Sequence, residues 1–142
     1  MRCQVVALRG DLDRLAVLLT AEADAHDAEV AELPPYNLIH AGLALPFCHP
    51  GRFNHLWKQV RQAILPGGVF VGHFFGLRHS WASQEQMSFH SVEDVQTLTE
   101  GLEILLLRET ESPMVIDSES VNWHRIDVIV RKISPVKDDQ AV

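Results

Sequence analysis

The chain has 142 residues, 46% of them hydrophobic, and 19 Asp and Glu against 12 Lys and Arg, a formal net charge of −7. That length suits one domain with one core and is short for a complete doubly wound α/β enzyme. The acidic balance, with no Lys/Arg cluster to offset it, disfavours nucleic-acid phosphates as partners, and the apolar runs are too short to span a bilayer.

Gln4 to Leu8 form a short apolar run expected as a buried strand. Arg9-Gly10-Asp11 reads as a turn with Asp11 as N-cap. From Leu12 onward, Leu15, Leu18, Leu19 and Glu22 fit a helix with one apolar face, and Val17-Leu18-Leu19 is open to a strand reading as well. Pro34-Pro35 ends this segment, because each proline lacks an N–H and restricts its predecessor.

Tyr36 to His40 reads as a buried strand and Ala41 to Pro50 as a loop. Phe53, Leu56, Trp57, Val60 and Ile64 recur at helical spacing, with Arg52, Lys58 and Arg61 on the other side. Pro66-Gly67-Gly68 stops that helix and supplies positive-φ positions for a tight turn. Val69 to Phe75 has little polar content and is expected as a central strand. A polar loop, Gly76 to Ser88, leads to Ser91, an N-cap with Asp94 three residues on in the manner of a capping box. Val92, Val95 and Leu98 give that helix its apolar face, and Gly101 ends it. Glu103 to Arg108 and Arg125 to Lys132 are strand-like, with a polar loop containing Pro113 between them. Residues 1–134 form one domain in this reading, and 135–142 are a charged, flexible tail. Strands alternating with helices imply a parallel sheet with crossovers, closed by an antiparallel terminal strand pair.

Several segments resemble the second half of class I S-adenosylmethionine-dependent methyltransferases. Tyr36-Asn37-Leu38-Ile39-His40-Ala41 is similar to the family's fourth strand, with Asn37 where Asp is usual, and Leu45-Pro46-Phe47-Cys48 to the loop that follows. Ala63 to Phe70 matches the L-x-P-G-G turn into the fifth strand. Phe75 to Ala82, Met87-Ser88-Phe89-His90 and Asn122-Trp123-His124 resemble a bacterial subgroup of tellurite- and thiopurine-type enzymes. The resemblance implies a truncated Rossmann-like methyltransferase sheet, mostly parallel, with S-adenosylmethionine as cofactor and a small molecule as partner. The family's G-x-G-x-G turn is not recognisable, since Arg9-Gly10-Asp11 holds one glycine. His26-Asp27-Ala28-Glu29 is similar to the G-D-A-E segment, whose acid accepts from the adenine amino group; Asp27 takes that role by resemblance.

Ligands of open α/β sheets lie beyond the carboxyl ends of the strands. That places His40, Ala41, Gly42 and Leu43 at the cofactor, and His73 and Phe75 at the substrate. Arg78, Trp81, Phe89 and His90 follow in the next loop: Arg78 suits an anionic group, while the aromatics either wall a pocket or pin the loop to the core. No H-x-x-x-H or C-x-x-C pair points to a metal. Cys3 and Cys48 make no disulfide framework and no signal-type segment follows Arg2, so a cytoplasmic setting is expected. A half-sheet also leaves the Tyr36–His40 strand with an apolar edge. Either the N-terminal segment folds back on it or two copies associate, and a homodimer is the expectation. Missing glycines keep a second function open, a noncatalytic binding or assembly module of methyltransferase descent that dimerises through an exposed sheet edge.

Overall fold

A computed structural model describes residues 2–8, 18–24, 36–42 and 45–134. The elements run β1 (Arg2–Leu8), β2 (Leu18–Asp24), β3 (Tyr36–Gly42), a 3-10 turn (Leu45–Phe47), α1 (Pro50–Ala63), β4 (Ile64–Phe75), α2 (Val92–Leu98), β5 (Leu102–Ile116) and β6 (Glu119–Lys132). From residue 36 on, the order strand, helix, strand, helix, strand, strand is the expected one. Leu18–Asp24 is a strand, not the helix expected there. Its Leu, Ala and Glu residues favour helix only weakly, and pairing along the whole of β1, from Leu8↔Leu18 to Arg2↔Asp24, outweighs that preference. Residues 9–17, 25–35, 43–44 and 135–142 lie outside the described residues, and with them Asp11, Asp27, Leu43 and the tail.

The six strands form one sheet in the order β2-β1-β3-β4-β6-β5. Only β3 and β4 pair in parallel; the other neighbouring pairs are antiparallel. The expectation of a mostly parallel sheet therefore fails, while the antiparallel terminal pair holds. Parallel neighbours need a crossover, and α1 supplies one between β3 and β4. The second crossover, through α2, overshoots by one lane. β5 runs in the same direction as β4, and β6 turns back to fill the lane between them.

That return uses a two-residue turn at Asp117 and Ser118, whose φ angles of 52° and 66° are those of a tight hairpin. The polar loop expected around Pro113 is thus the extended arm of a hairpin, paired from Leu102↔Lys132 to Ile116↔Glu119. Pro113 is tolerated because β5 has a neighbour on one side only among the described strands. Likewise, the edge of β3 is covered: β1 pairs with it through Val6↔His40, Ala7↔Ile39 and Leu8↔Leu38.

One face of the sheet carries the core. Phe70 and Phe74 of β4 point at α1, where Trp57 meets both rings at 5.1 and 5.9 Å. Ile39, Ile126, Val128 and Val130 extend this layer, and Phe53, Leu56 and Val60 close it from the helix. The Trp57 indole donates to the Leu98 carbonyl at 2.8 Å, and Arg61 donates to Leu98 and Glu100, so α1 holds the end of α2. α2 starts with the expected capping box, Ser91 and Asp94 bonding reciprocally at 3.0 and 2.9 Å. The Pro66-Gly67-Gly68 turn is a bulge inside β4, with Gly67 at φ 80°. There the register jumps from Tyr36↔Ile64 to Leu38↔Val69. No helix among the described residues is long and apolar enough to cross a membrane.

Candidate ligand cleft at the carboxyl ends of β3 and β4

β3 leaves the sheet after Gly42, which pairs with Gly72, whereas β4 continues to Phe75. β6 occupies one side of Phe75 through Arg125, so the parallel bridge from Phe75 to Phe89 fills the lane that β3 vacates. Three hydrogen bonds hold this segment down. His90 N–H donates to the Phe75 carbonyl, Ser88 N–H to Pro46 and the Ser88 hydroxyl to Cys48, at 2.8, 2.8 and 2.6 Å. Between this segment and the first turn of α1 lies an open cleft of about 360 Å³, with Pro50, Phe53 and Asn54 on the helix side and Glu85, Met87, Phe89 and His90 opposite. The size falls within the range of small-molecule sites, roughly 300–1,000 Å³, and the position is where open α/β sheets take their ligands.

Behind the cleft the loop after β4 is pinned by aromatic packing. Phe75 is fully buried and carries His79 stacked on it at 4.1 Å, with Trp123, Trp81 and Phe89 at 5.0, 6.0 and 6.3 Å. His79 Nδ1 accepts from the Trp81 N–H at 3.1 Å, so its proton sits on Nε2, which is buried without a hydrogen-bond partner. Burial foremost, with a smaller electrostatic contribution from the neighbouring His124, lowers the His79 pKa from its ordinary value.

The β5–β6 arm clamps the same loop. His124 Nδ1 accepts from the Arg78 N–H at 3.0 Å, and its Nε2 lies 2.8 Å from Glu109. Asn122 reaches the Arg78 carbonyl and Glu111, and the Arg78 guanidinium pairs with Glu111 at 2.9 Å. Gly76 is required by close approach: a Cβ there would overlap the His124 ring.

The opposite face of the sheet holds a separate polar cluster. His73 Nδ1 meets Asp127 Oδ1 at 2.6 Å, Arg108 meets Asp127 Oδ2 at 2.9 Å, and Arg125 Nε lies 2.7 Å from Oδ1. Asp127 is 3% exposed. Burial works against its charge, but the hydrogen bonds from Arg108 and His73 and the charges of Arg125 and His73 outweigh it, and its pKa lies below the ordinary 3.8.

The expected site residues thus separate into groups. Phe75, Trp81 and Phe89 come together, and Phe89 and His90 line the cleft. Arg78 is spent on its acidic partners. His73 points to the other face, because side chains alternate along β4 and its neighbour Phe74 faces α1. His40 is exposed and shares the face of His73, while Ala41 is buried in the core layer. Asp27 and Leu43 lie outside the described residues. Sequence reasoning missed His79, His124, Asp127 and Glu85. A carboxylate inside the β-branched run Ile126 to Val130 was a usable signal, since a buried acid needs cationic partners and Arg125 stands two residues away in sequence.

The described strands do not by themselves complete a cradle for S-adenosylmethionine. The carboxyl end of β3 is in place. Its neighbour β1, however, runs antiparallel, so Leu8 at the carboxyl end of β1 lies beside Leu38, toward the amino end of β3. A crevice between two strand ends of the same sense, as dinucleotide-type folds use, is absent at this pair.

No protein-family model matches the chain, and no curated protein matches it in sequence. Solved structures do match in fold. TehB from Haemophilus influenzae superposes with a TM-score of 0.62 at 13% identity, over 78% of this chain and 39% of TehB. A SAM-dependent methyltransferase from Methanosarcina mazei gives 0.56 at 12% identity, over 79% of this chain and 66% of the other. A structure that reports conversion of a disulfide bond into a thioacetal group during echinomycin biosynthesis gives 0.53 at 16% identity, over 84% and 57%. The chain spans well under half the length of TehB and about two thirds or less of the other two. The likeness is one of fold: the described residues resemble part of the fold of these SAM-dependent methyltransferase structures.

Proposed function

We propose that the chain is a methyltransferase-like module that binds a small molecule in the cleft between α1 and the Ser88–His90 segment, and that it lacks catalytic activity by itself. One observation carries this reading. A methyltransferase-type order, with β6 inserted antiparallel between β4 and β5, positions an open cleft at the strand ends where such folds take ligands, while β1 runs the wrong way to form the donor's second wall. S-adenosylmethionine chemistry would supply an electrophilic methyl group. Among the residues of this chain, the end of β3 at Ala41 and Gly42 is the place such a cofactor would approach. A thermal-shift titration with S-adenosylmethionine and S-adenosylhomocysteine tests the reading, because a ligand specific for the native state raises the melting temperature once it exceeds its dissociation constant. No shift is expected at millimolar cofactor. A saturable shift, with methyl transfer to any acceptor, would replace this reading by the enzyme.

A second reading, an assembly module, has its own observation. β5 is the outermost described strand on its side and exposes Ile104, Leu105 and Leu106 at 43%, 46% and 36%. With β3 covered by β1, the outermost described strands are β2 and β5, and the exposed apolar side chains of β5 make it the edge this reading assigns to a homodimer. Light scattering at high concentration decides it: a dimer dissociated by Leu105→Lys supports the reading, and a monomer ends it.

A further inference from the structure

The loop after β4 hangs on two buried histidines, His124 at 2% exposure and His79 at 3%. Each accepts a main-chain N–H of the loop on Nδ1, His124 from Arg78 at 3.0 Å and His79 from Trp81 at 3.1 Å. A backbone N–H is always a donor, so neither Nδ1 carries a proton and both rings are neutral Nε2–H tautomers. That same nitrogen is the one place where a second proton could go. Once protonated, Nδ1 is itself a donor and would face another donor. A charged ring and the loop bond therefore exclude each other.

The two rings have different surroundings. His79 lies among the rings of Phe75, Trp81, Phe89 and Trp123, and the titratable group that acts on it is His124. Burial first and His124 second lower its pKa below the ordinary 6.5. His124 faces the Glu109 carboxylate at 2.8 Å and the Arg78 guanidinium at 3.5 Å, both on the Nε2 side, and it acts on Glu111. An imidazolium there would keep its Nε2–H bond to Glu109, strengthened by charge, while dropping the Arg78 N–H. His90 nearby has its pKa lowered by burial, against the smaller opposing pull of Asp94, but its unpartnered Nδ1 holds no main-chain N–H. His79 also covers Phe75, so letting the loop go uncovers a ring that is otherwise fully buried.

We propose that His79 and His124 form an acid-released latch on the Gly76–Ala82 loop: protonation of each Nδ1 frees Trp81 and Arg78, and the loop comes off Phe75. The direction follows from linkage. A base whose folded pKa is depressed contributes its stability in full above the unfolded value, near 6.5, and loses it as pH falls through the lower folded value. The latch is therefore closed above about pH 6.5, and its hold weakens as pH falls below that.

Amide hydrogen exchange of the full chain, followed by NMR between about pH 7.5 and about pH 5 and expressed as protection factors, tests the latch. A proton taken up only on opening lowers protection by up to about tenfold per pH unit. Arg78 and Trp81 should therefore lose about tenfold more protection across this range than Val128 and Val130 of β6. Asp127 and Glu111 have lowered pKa values and keep their charge throughout it. Ring nitrogen shifts at the upper pH should show the Nε2–H tautomer for both histidines. His124→Asn places an amide oxygen where Nδ1 stood, so Arg78 should stay protected at the lower pH while Trp81 still responds through His79. If that variant does not fold, the wild-type profile decides alone. Protection at Arg78 and Trp81 that only moves in step with Val128 and Val130 overturns the latch, and so does an Nδ1–H tautomer of either ring. An unchanged pH response at Arg78 in folded His124→Asn overturns the role of His124.

Discussion

The two faces of β4 solve different problems. Phe70 and Phe74 on one face are close-packed against Trp57 and Phe53, so that side is held by apolar burial. His73 on the other face joins Asp127, Arg108 and Arg125, so that side is held by charge. The contrast explains why His73, though only two residues from the end of β4, is remote from the cleft: one residue of alternation sends Phe74 to α1 and His73 away from it.

Breaking each side should have unequal consequences. Phe74→Ala should cost most, about 3–5 kcal/mol by chemical denaturation, because it removes a buried ring that touches Phe53, Trp57 and His90. Gly76→Ala, which drives a methyl group into the His124 ring, should cost about 1–3 kcal/mol. It should also loosen the post-β4 loop, read as faster amide exchange at Arg78.

Asp127→Asn should cost about 1–2 kcal/mol at neutral pH, less than a fully enclosed ion pair because Arg108 is largely solvated. Its pH dependence sharpens the contrast. A carboxyl whose folded pKa is depressed contributes stability above its unfolded pKa, near 3.8, and that contribution is lost as pH falls through the lower folded value. The wild type should therefore lose its advantage over Asp127→Asn below about pH 4. A constant difference across that range would mean that the charge of Asp127 is irrelevant. Smallest of the set, Ser91→Ala should cost about 1 kcal/mol by removing half of the α2 capping box, with no effect on the Asp127 cluster.

How much of this was legible in the sequence follows from what each pattern encodes. β3, α1, β4 and α2 were legible because the period-3.6 rows and the Pro-Gly-Gly and Ser-x-x-Asp punctuation are local signals. Of the β5–β6 arm, Glu103 to Arg108 and Arg125 to Lys132 were legible as an antiparallel pair, but the outer part between them was not. Its exposed Glu109, Glu111, Ser112 and Pro113 look like a loop, and only pairing with β6 makes them strand. β2 was misread for the related reason that its partner β1, not its own composition, decides its state. The antiparallel sense of β1 leaves no local trace, yet it controls whether a donor crevice exists. Of the site, Phe75, Trp81 and Phe89 were legible as a group following the fifth strand of the family pattern. The Asp127 cluster depends on register across β4, β5 and β6, which no single segment reveals.

The most direct measurement is NMR amide-shift mapping of the full chain with S-adenosylhomocysteine, because it reports both whether a methyl-donor site exists and where. With β1 antiparallel to β3, the prediction is no saturable shift at His40 to Gly42 at millimolar ligand. Saturable shifts there with a micromolar midpoint would contradict the account and establish a working cofactor site.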